Sequence, residues 1–267
     1  MEIGARTRVL VTGASRGIGR AIAHAFAARG ATLGLIARSE DELRALAAEL
    51  PGDGHVALPA EVGDVDQVAG ATERFGGADV LVANAGVASY GRFSTLEAED
   101  VERMTRINWL GTVHAVRAVL PDMLERRRGQ LVVVSSAAAF RAFPEAAVYG
   151  ATKAAQRAFA EALRHELEGT GVSLTTVYPG EIATSLHDHE KGSMPAWYRG
   201  GAGAAAPAEL ARRVVDAVER DAAAVHYPPL VRSLRVAHGI SPRLGDALLR
   251  RLRGPSAAPR RARGSRA

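Results

Sequence analysis

The sequence predicts an α/β protein in which a doubly wound parallel sheet carries helices on both faces. Short apolar segments alternate with helical patterns along the chain, and each of these segments is apolar on both faces. Strands of this kind are typical of parallel sheets, and right-handed crossovers then place helices on both sides. Seven strands are predicted, at residues 8–12, 32–37, 55–58, 79–83, 130–135, 172–178 and 224–227.

Helical patterns fill the intervals between these strands, and several of them stop where glycine or proline follows. Gly30 ends the first helix, Pro51 the second and Gly76 the third. We predict helices at residues 18–29, 40–50, 64–75, 97–128, 147–169 and 208–220. The fourth of these contains Pro121, which lacks a backbone N–H, and we predict a break or a kink there.

The chain has the size and composition of a soluble globular protein with one large domain. Its 267 residues are 47% hydrophobic, an ordinary share that allows a sizeable core. Because there is no cysteine, disulfides, thiolate metal sites and thiol catalysis are excluded. Residues 1–11 lack the apolar run of a signal peptide, and no segment reaches the ~18 apolar residues of a membrane span. We therefore expect a cytoplasmic protein.

The net charge of +5 is unevenly distributed. Residues 228–267 contain ten arginines and one aspartate, a charge of +9, which leaves −4 (that is, 5 − 9) for residues 1–227. Nucleic-acid binding by the main part of the chain is therefore not indicated. We expect residues 1–227 to form the folded domain and residues 254–267, rich in proline, alanine and arginine, to be disordered.

Residues 228–253 form a basic extension whose leucines are interleaved with arginines between residues 230 and 252. An amphipathic segment of this kind can pack on its own domain or on a second subunit, which is the arrangement we favour. It can also lie on an anionic membrane surface.

Tyr149 and Lys153 are the most informative pair of residues in the chain. Lys153 is one of only two lysines, against 32 arginines, which indicates that an ammonium group is needed at this position. On a helix, residues four apart share one face, so this ammonium lies beside the phenol. A nearby cation favours the phenolate, and a tyrosine in this setting can exchange a proton near neutral pH. A chance pairing on a partly exposed helix is the alternative.

A glycine-rich turn links the first predicted strand to the first helix. Its glycines, Gly13, Gly17 and Gly19, have the spacing G-x-x-x-G-x-G. Glycines permit close approach of the backbone to a ligand, and a helix N-terminus offers unpaired N–H groups and a favourable dipole to phosphate. In this strand–turn–helix context, the turn predicts a site for the pyrophosphate of a dinucleotide.

Arg16 and Arg38 indicate which dinucleotide is bound. An acidic residue near the end of the second strand usually holds the adenosine ribose of NAD, but here the strand ends Ile36-Ala37-Arg38-Ser39. Guanidinium groups suit a 2′-phosphate, so we predict that NADP(H) is preferred over NAD(H). Two surface arginines in an arginine-rich chain are the alternative.

These features and four further motifs resemble the short-chain dehydrogenase/reductase family, in its compact single-domain branch, over about residues 7–227. The further motifs are Asn84-Ala85-Gly86 after the fourth strand, Asn108 in the long helix, Ser136 thirteen residues before Tyr149, and Pro179-Gly180 with Thr184 four residues later. That spacing is the reason for choosing Ser136 over Ser135. The resemblance implies a Rossmann-like sheet with the strand order 3-2-1-4-5-6-7.

The resemblance also implies an oxidoreductase that interconverts a carbonyl and an alcohol, with residues 1–227 as its catalytic domain. Tyr149 would exchange a proton with the substrate oxygen, Ser136 would orient that oxygen, and Lys153 would lower the pKa of Tyr149 and hold the nicotinamide ribose. Asn108 would organise a water that links Lys153 to solvent. The residues expected to bind the cofactor are Gly13, Ser15, Arg16, Gly17, Ile18, Gly19, Arg38, Ser39, Glu61, Val62, Asn84, Ala85, Gly86, Tyr149, Lys153, Pro179, Gly180, Ile182 and Thr184.

Aromatic residues and a methionine around this site indicate a lipophilic ketone or aldehyde, or its alcohol, as the small-molecule substrate. The candidates are Met194, Trp197 and Tyr198 in a covering loop at residues 181–207, with Phe140, Phe143 and Trp109 as a further apolar wall. Ordinary packing of these side chains is the alternative. We predict no metal site, because residues 187–189, His-Asp-His, lack a clear third ligand. Family members of this kind are expected to be homodimers or homotetramers.

Other functions remain open at this level. A 3-oxoacyl thioester is an alternative substrate for the same reaction. A non-catalytic dinucleotide-sensing protein is an alternative of a different class, against which the complete set of four catalytic residues argues. The short C-terminal region disfavours a sugar-nucleotide epimerase or dehydratase. The chain departs from the family at Glu61-Val62, where Asp-Val is usual, and the contact of Glu61 with adenine is left open.

Overall fold

A seven-stranded sheet forms the centre of the computed structural model, which describes residues 1–184, 204–241 and 243. All six strand pairings are parallel, and the strand order is β3-β2-β1-β4-β5-β6-β7. The strands are β1 (Arg8–Thr12), β2 (Thr32–Ala37), β3 (Val56–Pro59), β4 (Val80–Ala83), β5 (Gly129–Val134), β6 (Val172–Pro179) and β7 (Ala224–Tyr227). The predicted fold class and strand order are confirmed.

Helices connect successive strands, and the outer ends of the six predicted helical regions differ from the predicted ends by at most three residues; α8 follows the last strand. They are α1 (Gly17–Ala27), α2 (Glu40–Glu49), α3 (Val65–Phe75), α4 (Ala98–Met104), α5 (Gly111–Glu125), α6 (Ala147–Glu166), α7 (Pro207–Glu219) and α8 (Leu230–Ile240). Local chemistry sets several of these ends. The Asp64 carboxylate accepts the N–H groups of Asp66 and Gln67 at the start of α3, and Gly76 ends that helix at φ +78°.

The two faces of the sheet carry separate cores, because successive side chains of a strand point to opposite faces. Val9 and Val11 pack with buried residues of α1, α2 and α7 on one face. Leu10, between them, packs with buried residues of α3, α5 and α6 on the other. This alternation explains why the central strands are mostly apolar on both faces.

The long helical region departs from the prediction in one respect. A π-helical turn, Thr105–Leu110, joins α4 to α5, and the N–H of Gly111 bonds to the carbonyl of Arg106, five residues earlier. The predicted break at Pro121 does not occur, since α5 continues through it to Glu125. A proline removes one backbone hydrogen bond, and the buried side chains of Val119 and Met123 hold this part of α5 against the sheet.

The C-terminal part of the described chain packs back on the domain through one face of α8. Val231 and Leu234 are buried there, whereas Leu230, Val236 and Ile240 are exposed. Most of the predicted extension beyond residue 243 and the predicted disordered tail lie outside the described residues. None of the helices in the described part of the chain is long and apolar enough to cross a membrane.

Candidate active site

The predicted site segments meet at one edge of the sheet, where the carboxyl ends of the parallel strands lie together. The glycine turn follows β1, Asn84 follows β4, Ser136 follows β5, and Pro179 is the last residue of β6. Ligands of open α/β sheets bind at this edge, where the strand order reverses between β1 and β4.

The glycine turn is packed so tightly that a Cβ would overlap other backbone atoms at Gly13, 2.8 Å from the Ala85 Cα, and at Gly19. Gly13 and Gly17 have φ values of +65° and +57°, which glycine adopts far more readily than other residues. A Cβ added at Gly19 would lie 2.1 Å from the carbonyl oxygen of Gly13. The Thr184 side chain closes the other side, 3.3 Å from a Cβ built at Gly17. Ser15 lies partly buried within the turn.

The Asn84 segment fixes the glycine turn to the end of β4. The Asn84 amide nitrogen donates to the carbonyls of Thr12 (3.0 Å) and Gly13 (3.2 Å). The Thr12 hydroxyl accepts the backbone N–H groups of Asn84 (3.0 Å) and Ala85 (3.1 Å) in return. These four bonds make the turn a rigid part of the sheet edge.

The N-terminus of α1 suits an anion. Arg16 is its extended N-cap residue, and among the described residues no side chain caps this end of the helix. The first turn, which includes Ile18, carries no acidic residue. The helix dipole and the backbone N–H groups therefore favour a phosphate at this position.

The ends of β2 and β3 bring Arg38 and Glu61 together. The Arg38 side chain is 69% exposed, and its Nε lies 3.9 Å from a carboxylate oxygen of Glu61. Ser39 caps α2, its hydroxyl accepting the Glu42 N–H at 3.4 Å, and Val62 is buried. A carboxylate thus faces the arginine that was predicted to hold the 2′-phosphate.

Tyr149, Ser136 and Lys153 converge at the end of β5. The Ser136 hydroxyl and the Tyr149 phenol are hydrogen-bonded to each other. The Lys153 ammonium lies 5.8 Å from the centre of the Tyr149 ring and donates to the Val134 carbonyl at 3.1 Å. Tyr149 is partly buried and Lys153 almost completely.

Burial shifts both titrating groups of this cluster. It raises the pKa of the Tyr149 phenol, and the hydrogen bond with Ser136 opposes part of that rise. It lowers the pKa of the Lys153 ammonium from 10.5 to about 7. We predicted that Lys153 would lower the pKa of Tyr149, but burial favours the neutral form of both groups. A phenol that stays protonated at neutral pH can act as a proton donor.

Ser135 and Ser136 have different roles in the structure. The Ser135 hydroxyl is buried and donates to the main-chain carbonyl of Lys153 at 2.8 Å, which ties β5 to α6. The Ser136 hydroxyl accepts the N–H of Ala138 at 3.1 Å and faces Tyr149. The geometry therefore places Ser136, the choice made from its spacing, beside Tyr149, whereas Ser135 is engaged with the main chain of α6.

Asn108 lies fully buried in the π-helical turn. Its side-chain oxygen accepts the Val87 N–H at 2.8 Å, and its amide nitrogen donates to the Val87 carbonyl (2.9 Å) and the Thr152 hydroxyl (3.0 Å). Its main-chain oxygen accepts from Thr112 and Gln156, both at 2.9 Å. Asn108 thus ties the segment after β4 to α6.

The segment after β6 is anchored at two points. The Gly180 N–H, next to Pro179, donates to the Tyr227 carbonyl at 2.7 Å. Ile182 is buried and pairs with Ala205 in an isolated bridge. Residues 185–203, which include Met194, Trp197, Tyr198 and the His-Asp-His sequence, lie outside the described residues.

Tyr90 and Phe143 lie beside Tyr149. The rings of Tyr90 and Tyr149 are 6.1 Å apart, and Phe143 packs in the same small apolar cluster. Phe143 was a predicted wall residue, whereas Tyr90 was not singled out. In the part of the chain that the structure describes, no group of three histidine, aspartate or glutamate side chains could hold a metal ion.

Two other predicted wall residues have different surroundings. Phe140 packs on Tyr178, with 4.5 Å between the ring centres. Trp109 packs edge-on against Phe159 at 5.5 Å, and Phe159 lies ten residues, or about 15 Å, along α6 from Tyr149. Trp109 therefore belongs to helix packing and does not line the site.

Sequence reasoning missed the groups that hold the predicted catalytic residues in place. The Val134 carbonyl, which accepts from Lys153, carries no sequence signal because any residue supplies a carbonyl. Thr152 and Gln156 each lie three residues after a predicted catalytic residue, Tyr149 and Lys153 respectively. That spacing was the one available signal that they share a helix face with the pair.

The residues present fit a dinucleotide. The start of α1 has no side-chain cap and no acidic residue in its first turn, so its backbone N–H groups can donate to a phosphate. At the other end, a Cβ built at Gly86 would lie 3.3 Å from the Asn108 side-chain oxygen and 3.5 Å from the Lys153 ammonium. Glycine at residue 86 therefore keeps the space in front of Lys153 open to a ligand.

Comparison with known proteins agrees with this geometry. A family model described as short chain dehydrogenase matches residues 7–194. An uncharacterised oxidoreductase from Myxococcus xanthus (strain DK1622) is 40% identical over 201 residues, which cover 73% of this chain and 79% of the relative.

Two solved structures extend the likeness to the fold. A short-chain dehydrogenase from Sphingobium yanoikuyae in complex with NADPH has a TM-score of 0.77 and 29% identity, covering 95% of this chain and 99% of that chain. A 3-oxoacyl-[acyl-carrier protein] reductase from Brucella melitensis with bound NAD has a TM-score of 0.73 and 28% identity, covering 85% of this chain and 92% of that chain. The family match spans more than half of the chain.

Proposed function

The chain belongs to the short-chain dehydrogenase/reductase family, and from that premise we propose that it is an NADPH-dependent enzyme that interconverts a lipophilic ketone or aldehyde and its alcohol. Family membership makes the protein an oxidoreductase that depends on a nicotinamide dinucleotide. The preference for NADPH, the lipophilic substrate and the residue roles below are parts of the proposal.

The cofactor-binding residues divide into three groups. The glycine turn and the start of α1 would hold the pyrophosphate, Arg16 and Arg38 the 2′-phosphate, and Lys153 with the segment after β6 the nicotinamide end. When bound, the dinucleotide supplies the hydride.

Tyr149 acts as the general acid in the reduction direction. Its raised pKa keeps the phenol protonated at neutral pH, so it can donate a proton to the oxygen of the reacting carbonyl. The Ser136 hydroxyl, hydrogen-bonded to that phenol, positions the same oxygen. Lys153 places a charge behind the ring that stabilises the phenolate left after proton transfer.

The observation that carries this proposal is the contact between the Ser136 hydroxyl and the Tyr149 phenol, with Lys153 buried behind them. It is tested with Tyr149→Phe, which removes the donated proton and keeps the ring. We expect kcat to fall by about 10²-fold or more, and NADPH affinity, measured by fluorescence titration, to change little.

Tyr227→Phe is the matched control for this experiment. It also removes one phenol hydroxyl, from a ring that packs under Arg213 at the end of β7. We expect this variant to keep the wild-type kcat. Substantial turnover by Tyr149→Phe would refute the assignment of the general acid.

A 3-oxoacyl thioester is the second candidate substrate. The similarity to the Brucella melitensis 3-oxoacyl-[acyl-carrier protein] reductase supports it. A panel of lipid ketones, aldehydes and acyl thioesters, with NADPH oxidation followed by absorbance, separates the two candidates. A higher kcat/KM for the thioester than for every free ketone would replace the first candidate with the second.

We also propose a cytoplasmic homodimer or homotetramer. Leu110 and Leu124, fourteen residues apart and both exposed, lie on nearly the same side of the α5 region, which supports an apolar contact between subunits there. Light scattering on the purified chain gives the mass. A monomer at micromolar concentration would contradict this part of the proposal.

A further inference from the structure

Gln156 is a buried polar residue that the mechanism above does not use. It is completely buried on α6, three residues after Lys153, and residues with this spacing lie on one face of a helix. Its amide nitrogen donates to the Asn108 carbonyl at 2.9 Å and to the Thr112 hydroxyl at 2.7 Å. Its amide oxygen Oε1 is also buried, and no group in the described part of the chain donates to it.

The partners of the amide fix which way round it lies. The Asn108 carbonyl can only accept a hydrogen bond, so the amide atom that faces it must be the nitrogen. With nitrogen and oxygen exchanged, two oxygens would meet at 2.9 Å and both amide N–H groups would lose these acceptors. Oε1 is therefore the buried atom that has no partner among the described residues.

The main-chain carbonyl oxygen of Asn108 has no lone pair left for a further hydrogen bond. It accepts from both Gln156 and Thr112, and a carbonyl oxygen has two lone pairs. A water that serves Lys153 therefore finds no free acceptor on this carbonyl. The oxygen of Gln156 is a buried acceptor in need of a donor, and buried waters typically bind such groups.

Lys153 is the residue that such a water would serve. An ammonium has three donors, and among the described residues the acceptor of Lys153 is the Val134 carbonyl. Two of its donors are thus available to water on the helix face that it shares with Gln156.

We propose that Gln156 Oε1 holds the water that carries protons to Lys153, which makes Gln156 a positioning residue of the proton relay. This inference rests on the proposed function, because a relay is needed only if Tyr149 gives up a proton in each turnover. The Tyr149 phenolate then regains its proton from the Lys153 ammonium. Lys153 takes a proton from the water at Oε1, and that water takes one from solvent.

Gln156→Leu and Thr112→Val separate this relay role from a merely structural one. The first removes Oε1, and the second removes one partner of the amide but leaves Oε1 in place. For Gln156→Leu we expect kcat to fall about tenfold, a larger solvent deuterium isotope effect on kcat, and partial rescue by imidazole. We expect Thr112→Val to keep the wild-type isotope effect. An unchanged isotope effect in Gln156→Leu, or the same change in both variants, would overturn the proposal.

A crystal structure of the full chain without cofactor gives a readout that does not depend on activity. We expect an ordered water within about 3 Å of Gln156 Oε1 in the wild type, and none at that position in Gln156→Leu. A protein group bonded to Oε1 in the wild type would overturn the inference. If the wild type reduced no carbonyl but held this water, the proposed function would fail while the water site stood.

Discussion

Lys153 destabilises the fold, and replacing it should make the protein more stable while abolishing its activity. The ammonium is nearly completely buried, and burial lowers its pKa from 10.5 to about 7. Each pH unit of such a shift corresponds to about 1.4 kcal/mol. At pH 7 the unfolded chain carries this charge in water, so burying the lysine lowers the free energy of unfolding by about 4 kcal/mol.

Lys153→Met removes this charge and keeps an unbranched side chain of similar length. It also removes the bond to the Val134 carbonyl, which is worth about 1 kcal/mol. We therefore expect the variant to be more stable than the wild type by about 3 kcal/mol at pH 7.

The dependence of this stability difference on pH identifies the buried charge of Lys153 as its cause. A group whose pKa is lower in the folded state binds fewer protons there than in the unfolded chain between pH 7 and 10.5, so wild-type stability rises with pH across this window. The variant lacks this rise. The difference of about 3 kcal/mol at pH 7 should therefore shrink to about 1 kcal/mol at pH 9.

Urea unfolding of both proteins without cofactor, at pH 7, 8 and 9, measures this difference. Arg44→Met is the matched control, because the Arg44 side chain is 70% exposed and its ion pair, within the described part of the chain, is with Glu40 on the surface. We expect it to change stability by less than about 0.5 kcal/mol at every pH. A Lys153→Met variant that is less stable than the wild type, or a difference that does not change with pH, would refute the reasoning.

The remaining predictions concern the pH profile, the cofactor preference and two glycine positions. The kcat/KM for carbonyl reduction should fall as pH rises above about 7, where Lys153 loses its charge, and a flat profile between pH 7 and 9 would contradict this role. Arg38→Leu should lower the NADPH/NADH ratio of kcat/KM about tenfold. Glu61→Gln, which removes a carboxylate 3.9 Å from Arg38, should raise that ratio about twofold, and a clear preference of the wild type for NADH would overturn both expectations. Gly19→Ala should destabilise the fold by about 1–3 kcal/mol, since its Cβ would meet the Gly13 carbonyl at 2.1 Å. Gly70→Ala, in α3 with nothing within 4 Å of the added Cβ, should stabilise it by about 0.5–1 kcal/mol in thermal unfolding.

The sequence by itself determined the fold class, the strands and the residues that meet at the sheet edge. Burial on both faces leaves a direct record in most strands, because the residues of a strand such as β4 must then be apolar. The spacing from Tyr149 to Lys153 likewise specifies one helix face, and the resemblance to the family selected Ser136 at the end of one strand. Such signals are local, so a single sequence contains them.

Only the tertiary structure decided how these residues are held and how they titrate. The π-helical turn at Asn108 is held by Gln156, which lies 48 residues further along the chain, and no local pattern records that contact. The site predictions themselves, including the cofactor residues, stay predictions that the proposed variants test. The pKa of Lys153 is lowered because the residues packed around it exclude water from the ammonium. These residues come together only when β5, α6 and the segment after β4 pack in the folded protein.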